Sequence, residues 1–143
     1  MKTFGLILPT LCAGVIAVAG TSSLRAQSAN IERGRYIVDQ VGACGYCHTP
    51  RLANGEPDKA NYLKGMKKLD MGPIGAPTIK RADHSQDLTS TSKMWERWGD
   101  KGVVTFLETA KNPKGHHADA PMPRYQMKAE DAEAVTAYLK SLK

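Results

Sequence analysis

The sequence Cys44-Gly45-Tyr46-Cys47-His48 carries two thiols three positions apart, followed at once by an imidazole. A peptide of this length forms about one helical turn, so both sulfur atoms face the same side. Each thiol can then bond one vinyl-derived carbon at a porphyrin edge, and the next residue points beneath the ring. The spacing therefore predicts covalent haem attachment, with His48 Nε2 as an iron ligand. His48 Nδ1 should donate to a carbonyl oxygen, which fixes the ring orientation.

Three other uses of these cysteines stay open from the sequence. Cys44 and Cys47 could form an ordinary disulfide, or a thioredoxin-like redox pair, although the βαβ pattern that accompanies such a pair is absent. They could also bind zinc, if further histidines complete the four ligands. The candidates for that role are His84, His116 and His117.

The N-terminal residues have the layout of a secretory signal. A short positive start precedes residues 4–20, which carry no charge, and small and polar residues then lead to Ala26. This layout predicts a signal peptide at 1–26 and a single domain at 27–143, exported to the periplasm. A transmembrane anchor is the alternative, but the apolar run is short for a span and Pro9 interrupts it. We therefore expect no stable membrane span after cleavage.

The charge of the chain bears on its partners. The formal net charge is +6, and removal of Lys2 and Arg25 with the signal lowers it to +4. No dense run of lysine and arginine stands out, which argues against nucleic acid binding. A mildly basic surface suits an acidic docking surface on a redox protein partner. The candidate docking residues are Lys64, Lys67, Lys68, Lys80 and Arg81.

The apolar pattern predicts an all-α protein with long loops. Helical spacing occurs at residues 31–41, 94–98, 103–110 and in a C-terminal helix. The first of these helices should end at Gly42, and Thr91 and Ser92 are possible caps of the second. The apolar stripe of the last helix consists of Val135, Tyr138, Leu139 and Leu142. Residues 50–91 and 111–127 show no sustained period and are predicted as loops, which a haem would help to order.

The iron needs a second axial ligand, and both methionine and histidine can supply it. The methionines of the mature chain are Met66, Met71, Met94, Met122 and Met127. Met122 is favoured because the flanking Pro121 and Pro123 stiffen the backbone and remove competing N–H donors. Met127 is an alternative that could instead be core under the last helix. A histidine ligand and an open coordination position are the remaining alternatives.

These features together resemble the class I cytochrome c family over residues 31–142. A haem motif follows a first helix, a Met-Pro pair stands at 122–123, and the last helix has acidic residues at 130–131 and a Tyr-Leu pair at 138–139. The resemblance implies the cytochrome c fold, in which the N- and C-terminal helices cross and long loops enclose the haem. It also implies that Gly34 is the small residue at the crossing, with Tyr138 facing it.

The same resemblance implies the ligand set and the chemistry. One haem c would be bound covalently through Cys44 and Cys47, and His48 and Met122 would hold the iron. The chain would then be an electron carrier with no bond-making reaction of its own. A haem enzyme or gas-binding protein is the alternative, with His116 and His117 as distal polar groups near Met122. A structural zinc domain is the third hypothesis.

A closer resemblance is to small periplasmic cytochromes, or cytochrome domains, that accept electrons from dehydrogenases. The opening at residues 32–36, the Cys-His-Thr-Pro sequence ending at Pro50, and the Ala-Pro-Thr-Ile sequence at 76–79 are similar to that group. Thr78 departs from it, since asparagine is common there, and Lys128 stands where serine or threonine often caps the last helix. The resemblance implies a dehydrogenase as electron donor and an oxidase or another cytochrome as acceptor, towards the respiratory chain.

Overall fold

The computed structural model describes residues 16–69 and 80–143. The sequence predictions for residues 1–15, Met71 and 76–79 lie outside the described residues. Four α-helices occur in the described part: α1 (Ile16–Tyr36), α2 (Gly45–His48), α3 (Lys93–Thr109) and α4 (Ala129–Ser141). A π-helical turn at Ile37–Val41 continues α1, and a 3₁₀ turn spans Lys59–Asn61. Within these residues the only β pairing consists of isolated bridges, so the all-α prediction is confirmed.

The first helix begins earlier than the apolar pattern predicts. Helical spacing is visible only from residue 31, whereas α1 starts at Ile16. Residues 24–28 are helical and exposed, so they have no buried face that could produce a periodic signal. Their good helix formers, such as alanine, leucine and arginine, stabilise the turn without packing.

The chain leaves the first helix through Gly42 and Ala43. The Gly42 N–H donates to the Ile37 carbonyl oxygen at 2.7 Å, which ends the helical segment where the sequence predicts. Gly42 keeps right-handed angles, however, and Ala43 adopts the left-handed conformation, with φ of 46°. The glycine at position 42 leaves room for the Cys44 side chain, because a Cβ there would lie 3.2 Å from Cys44 Sγ.

The crossing of α1 and α4 requires Gly34. A Cβ at this position would lie 2.0 Å from the Ala134 carbonyl oxygen and 2.8 Å from Tyr138 Cβ. Real carbon atoms do not approach so closely, so the helices can meet at this distance only because the side chain is absent. The predicted contact of Gly34 with Tyr138 is therefore confirmed. At the rim, Arg33 pairs with Asp131 at 2.5 Å.

Two helical segments are joined in α3, as the two separate apolar patterns predict. Gly99 interrupts the helix with φ of 61° and ψ of 177°. Ser92 caps the N-terminus by accepting a hydrogen bond from the Met94 N–H at 3.1 Å. At the other end Ala110 takes a left-handed conformation, and its carbonyl oxygen accepts from His117 Nδ1 at 2.8 Å.

The helices enclose one apolar cluster, which we call the core cluster. Its buried members are Ile37, Val38, Leu63, Met94, Val103, Phe106, Leu107, Ala132, Val135, Tyr138 and Leu139. Burial of each of the larger side chains in this cluster contributes about 1.5–3 kcal/mol to the stability of the fold. The cluster contains members of the π-turn, α3, α4 and the loop after α2, so it fixes the helices around the segment that carries the haem motif. No helix of the described residues is long and apolar enough to cross a membrane.

Candidate haem-binding site

The two cysteines lie on one helical turn. Cys44 occupies the N-cap of α2, and its carbonyl oxygen accepts from the Cys47 and His48 N–H groups at 3.3 and 2.9 Å. Both thiols are free and partly buried. Burial raises the pKa of Cys44 to about 11 and also raises the pKa of Cys47. A redox-active thiol pair has a lowered pKa instead, so the environment favours the attachment hypothesis over the thioredoxin-like one.

His48 has the features of a neutral metal ligand. Its Nδ1 atom lies 2.8 Å from the Gln86 carbonyl oxygen. A carbonyl only accepts hydrogen bonds, so Nδ1 carries the proton and Nε2 keeps its lone pair. Burial lowers the pKa of His48, partly offset by the bond to Gln86. The prediction that Nδ1 donates to a carbonyl oxygen is confirmed, and Gln86, which no sequence pattern pointed to, is the acceptor.

Two loop segments hold the acceptor in place, residues 63–66 and 85–88, which we call the proximal frame. Gly65 joins them to α2, since its N–H donates to the His48 carbonyl oxygen at 2.7 Å. Gly65 has φ of +78°, and a Cβ there would lie 2.6 Å from the Ser85 carbonyl oxygen and 2.7 Å from the Gln86 carbonyl carbon. Glycine is thus required both by conformation and by space.

Ser85 also links the proximal frame to the haem motif. Its hydroxyl donates to the Cys47 carbonyl oxygen at 2.6 Å and accepts from the Met66 N–H at 2.8 Å. The buried Thr49 hydroxyl accepts from the Leu63 N–H at 3.1 Å. The backbone on both sides of His48 is therefore hydrogen-bonded to the frame that also supplies the acceptor for its ring.

Two tyrosines flank the first cysteine of the motif. The Tyr125 hydroxyl donates to the Gly42 carbonyl oxygen at 3.1 Å, and burial raises the pKa of this tyrosine to about 12. On the other side, Tyr62 packs against Gly45, where a Cβ would lie 2.8 Å from its ring. The Tyr62 hydroxyl donates to Asp39. Neither tyrosine's position follows from a pattern in the sequence.

Met122 lies in the segment of residues 118–127, which we call the distal segment. The Ala82 N–H donates to the Ala120 carbonyl oxygen at 2.7 Å, and the Met122 N–H donates to the Asp119 backbone carbonyl oxygen at 3.2 Å. The peptide bond between Ala120 and Pro121 is cis. The Met122 side chain is partly buried and packs against the core cluster, which Cys44 also borders.

The other methionines are placed as follows. Met127 also packs against the core cluster, and its N–H donates to the Leu107 carbonyl oxygen at 3.0 Å. It lines a cavity of about 330 Å³ together with residues of the π-turn, including Ile37 and Val41. Met94 is a buried member of the core cluster. Met122 and Met127 thus both pack against the core cluster, and Met122 stays the predicted ligand.

The remaining histidines have other partners. His84 Nδ1 lies 2.5 Å from Asp83, and His117 holds the end of α3 through Ala110. His116 is exposed, and its N–H donates to Asn112 in the turn before it. Among residues 16–69 and 80–143, no group of three or more histidine, cysteine, aspartate or glutamate side chains has the arrangement of a metal site.

The donor set fits a covalently bound haem. Both thiols are free on one turn, His48 is neutral with Nε2 available, and a methionine segment borders the same apolar cluster. Such a cofactor would supply the electron-accepting iron, and the chain would supply the attachment, the ligands and an apolar environment.

Comparisons with known proteins agree with the geometry. Residues 31–143 match the family model described as Cytochrome c. The chain is 35% identical over 114 residues to a diheme cytochrome c-type protein of Cereibacter sphaeroides, which covers 76% of this chain and 34% of that protein. It is 33% identical over 118 residues to the fructose dehydrogenase cytochrome subunit of Gluconobacter japonicus, covering 77% of this chain and 21% of that subunit.

A third relative is the gluconate 2-dehydrogenase cytochrome c subunit of Pantoea cypripedii, 31% identical over 126 residues, with 78% of this chain and 26% of the subunit covered. The chain thus spans between about a fifth and a third of the length of these curated relatives. The family binds haem c through a pair of cysteines and carries electrons, and Cys44 and Cys47 are present as such a pair. With a family match over most of its length, and with the helix crossing at Gly34, the chain belongs to the cytochrome c family.

Proposed function

We propose that this chain is an exported electron-transfer protein with one haem c, held through Cys44 and Cys47 and ligated by His48 and Met122. The observation that carries the proposal is the hydrogen bond of His48 Nδ1 to the Gln86 carbonyl oxygen, at 2.8 Å. It leaves Nε2 as the nitrogen that can bind iron, on the residue that directly follows the two cysteines. Residues 1–26 would be removed on export, leaving one domain at 27–143 in the periplasm.

The mechanism requires little movement of the protein. The proximal frame would keep the His48 ring in one orientation in both oxidation states of a bound iron, because Gln86, Ser85 and Gly65 are all hydrogen-bonded to α2. Met122 would add a thioether ligand, which would favour ferrous iron and raise the reduction potential. Tyr46 is exposed on the attachment turn, where a partner could approach.

A dehydrogenase is the proposed electron donor, and a further cytochrome or an oxidase the acceptor. The proposal is supported by the relatives named as cytochrome subunits of fructose and gluconate dehydrogenases. Among the candidate docking lysines, Lys80 pairs with Asp119 at 2.8 Å, whereas Lys64, Lys67 and Lys68 are exposed. Lys64 lies within the proximal frame, and Lys67 and Lys68 directly follow its first segment, so an acidic partner surface would dock beside the iron ligand.

The test is to express the full chain in a host that attaches haem c and exports the protein. We expect haem that stays bound after denaturation, one haem per chain, and a mature N-terminus at Gln27. The oxidised protein should show a weak far-red charge-transfer band from sulfur to iron. Covalent haem without this band, together with carbon monoxide binding by the reduced protein, would favour the gas-binding or enzyme alternative instead.

A further inference from the structure

Asp39 and Tyr62 form a polar contact directly beside the attachment turn. Asp39 lies in the π-turn and is partly buried. Tyr62 follows the 3₁₀ turn after α2, and its hydroxyl donates a hydrogen bond to the Asp39 carboxylate. Neither residue belongs to the haem motif, so the attachment of haem does not by itself explain this contact.

Two connections bring the Asp39 carboxylate to the motif. The Tyr62 ring packs on Gly45, between the two cysteines, where a Cβ would lie 2.8 Å from Cε2 and 3.5 Å from the hydroxyl oxygen. The Cys44 N–H donates at 3.0 Å to the carbonyl oxygen of Val38, the residue just before Asp39.

The Asp39 carboxylate has one guanidinium nearby, that of Arg35, whose pKa is raised mainly by Glu32 and further by Asp39. Arg35, one helical turn earlier, pairs with Glu32 at 2.7 Å. In the part of the chain that the structure describes, none of the ion pairs includes Asp39. Its hydrogen-bond donor is the neutral Tyr62, whose pKa is raised by burial and then by the bond to Asp39. A partly buried carboxylate is screened less by salt than a fully exposed one.

The geometry points to Asp39 as a residue that sets the reduction potential of the haem attached at Cys44, with Tyr62 moderating its charge. A negative charge beside the cofactor stabilises the ferric state, which carries one more positive charge than the ferrous state, and so lowers the potential. The Tyr62 hydroxyl withdraws part of that charge through the hydrogen bond. This inference rests on the proposed function, because it requires haem at Cys44 and Cys47.

The experiment is a potentiometric titration of the haem-loaded full chain and four variants. Asp39→Asn should raise the midpoint potential, because the charge is removed while the shape is kept. Tyr62→Phe should lower it, because the carboxylate loses its donor while the ring keeps its packing on Gly45. Asp39→Glu should stay near the wild-type potential. In the double variant Asp39→Asn/Tyr62→Phe, the effect of Tyr62→Phe should disappear.

Glu133→Gln serves as the matched control, since it removes one negative charge from an exposed position on α4. A rise in Asp39→Asn no larger than the rise in Glu133→Gln overturns the inference. Shifts of Asp39→Asn and Tyr62→Phe in the same direction also overturn it, because loosened packing rather than charge would then explain both.

Failure of the inference and failure of the proposed function are distinguished by two prior measurements on each protein. Haem content and the far-red sulfur band are recorded before the titration. Wild-type protein without covalent haem contradicts the proposed function, and with it the inference. Variants that keep both the haem and the band, yet show no opposite shifts, contradict the inference alone.

Discussion

The proximal frame and the distal segment hold their iron-binding candidates in different ways. On the proximal side, hydrogen bonds reach the ligand itself, at its ring through Gln86 and at its backbone through Gly65. On the distal side, bonds hold the neighbours of Met122, such as Ala120 and Met127, while its own N–H makes only a local bond to Asp119. The comparison indicates that the imidazole is positioned by the chain, whereas the thioether is placed by packing and can be lost more easily.

The largest expected effect tests whether the two sides differ as this comparison requires. His48→Ala should reduce covalently bound haem nearly to background, because the motif loses its ligand and the frame loses the ring that it orients. Met122→Ala should keep full haem content. The measurement is haem absorbance per chain after denaturation. Equal loss of haem in both variants would contradict the asymmetry.

The next effect concerns the distal ligand. Met122→Ala should remove the far-red sulfur band, lower the midpoint potential and allow carbon monoxide to bind the reduced protein, because a thioether favours ferrous iron and blocks the sixth position. Met127→Ala is the matched control, since Met127 also borders the core cluster. It should keep the band and cost about 2–5 kcal/mol of stability as a cavity-forming change. A lost band in Met127→Ala alone would transfer the ligand role to that residue.

A third prediction tests the rigidity of the proximal frame. Gly65→Ala combines an unfavourable φ with contacts to Ser85 and Gln86 below 3 Å, and should lower the free energy of unfolding by about 3 kcal/mol. Gly55 has a similar φ of +86° with open space around it, so Gly55→Ala should cost only about 1 kcal/mol. Denaturant unfolding of the haem-loaded proteins measures both values. An equal loss of unfolding free energy in the two variants would mean that the proximal frame shifts to accommodate a methyl group at Gly65.

The smallest effect concerns one side chain of the frame. Ser85→Ala removes the donor to the Cys47 carbonyl oxygen and the acceptor of the Met66 N–H. It should cost about 1–2 kcal/mol, since buried groups are left without partners. Ser90→Ala is the control, because Ser90 is exposed although its hydroxyl donates to Leu142; it should cost about 0.5 kcal/mol. A control variant as unstable as Ser85→Ala would remove any special role for Ser85.

The sequence predicted the parts of the site that depend on short spacing. The helical turn of α2, the protonated Nδ1 of His48 and the helix crossing at Gly34 follow from residues close in the chain or from a resemblance to a known family. The frame was missed because Gly65 and Gln86 lie far from His48 in sequence and belong to loops without a period. Loop residues meet through tertiary hydrogen bonds, which leave no pattern in a single sequence.

Two local details could not be predicted from the sequence. Gly42 ends the first helix as predicted, whereas the left-handed angle falls on the next residue, Ala43. The ring of His117, which the alternative haem-enzyme hypothesis names as a distal polar group, lies at the end of α3 and donates to the Ala110 carbonyl oxygen. Histidine near a helix C-terminus interacts well with the exposed carbonyl groups there, a role that the loop sequence alone did not reveal.

The π-turn at Ile37–Val41 has a consequence for how the chain can change in evolution. Gly34 is fixed against Ala134, and Cys44 is fixed at the start of α2. The stretch between Gly34 and Cys44 therefore has a fixed length. Its wider π-turn already accommodates one residue more than an α-helix would. Deleting or inserting a residue there would rotate the attachment turn by about 100° relative to the crossing. Insertions should accordingly be tolerated around Gly55, where space is open, and should not be tolerated between Gly34 and Cys44.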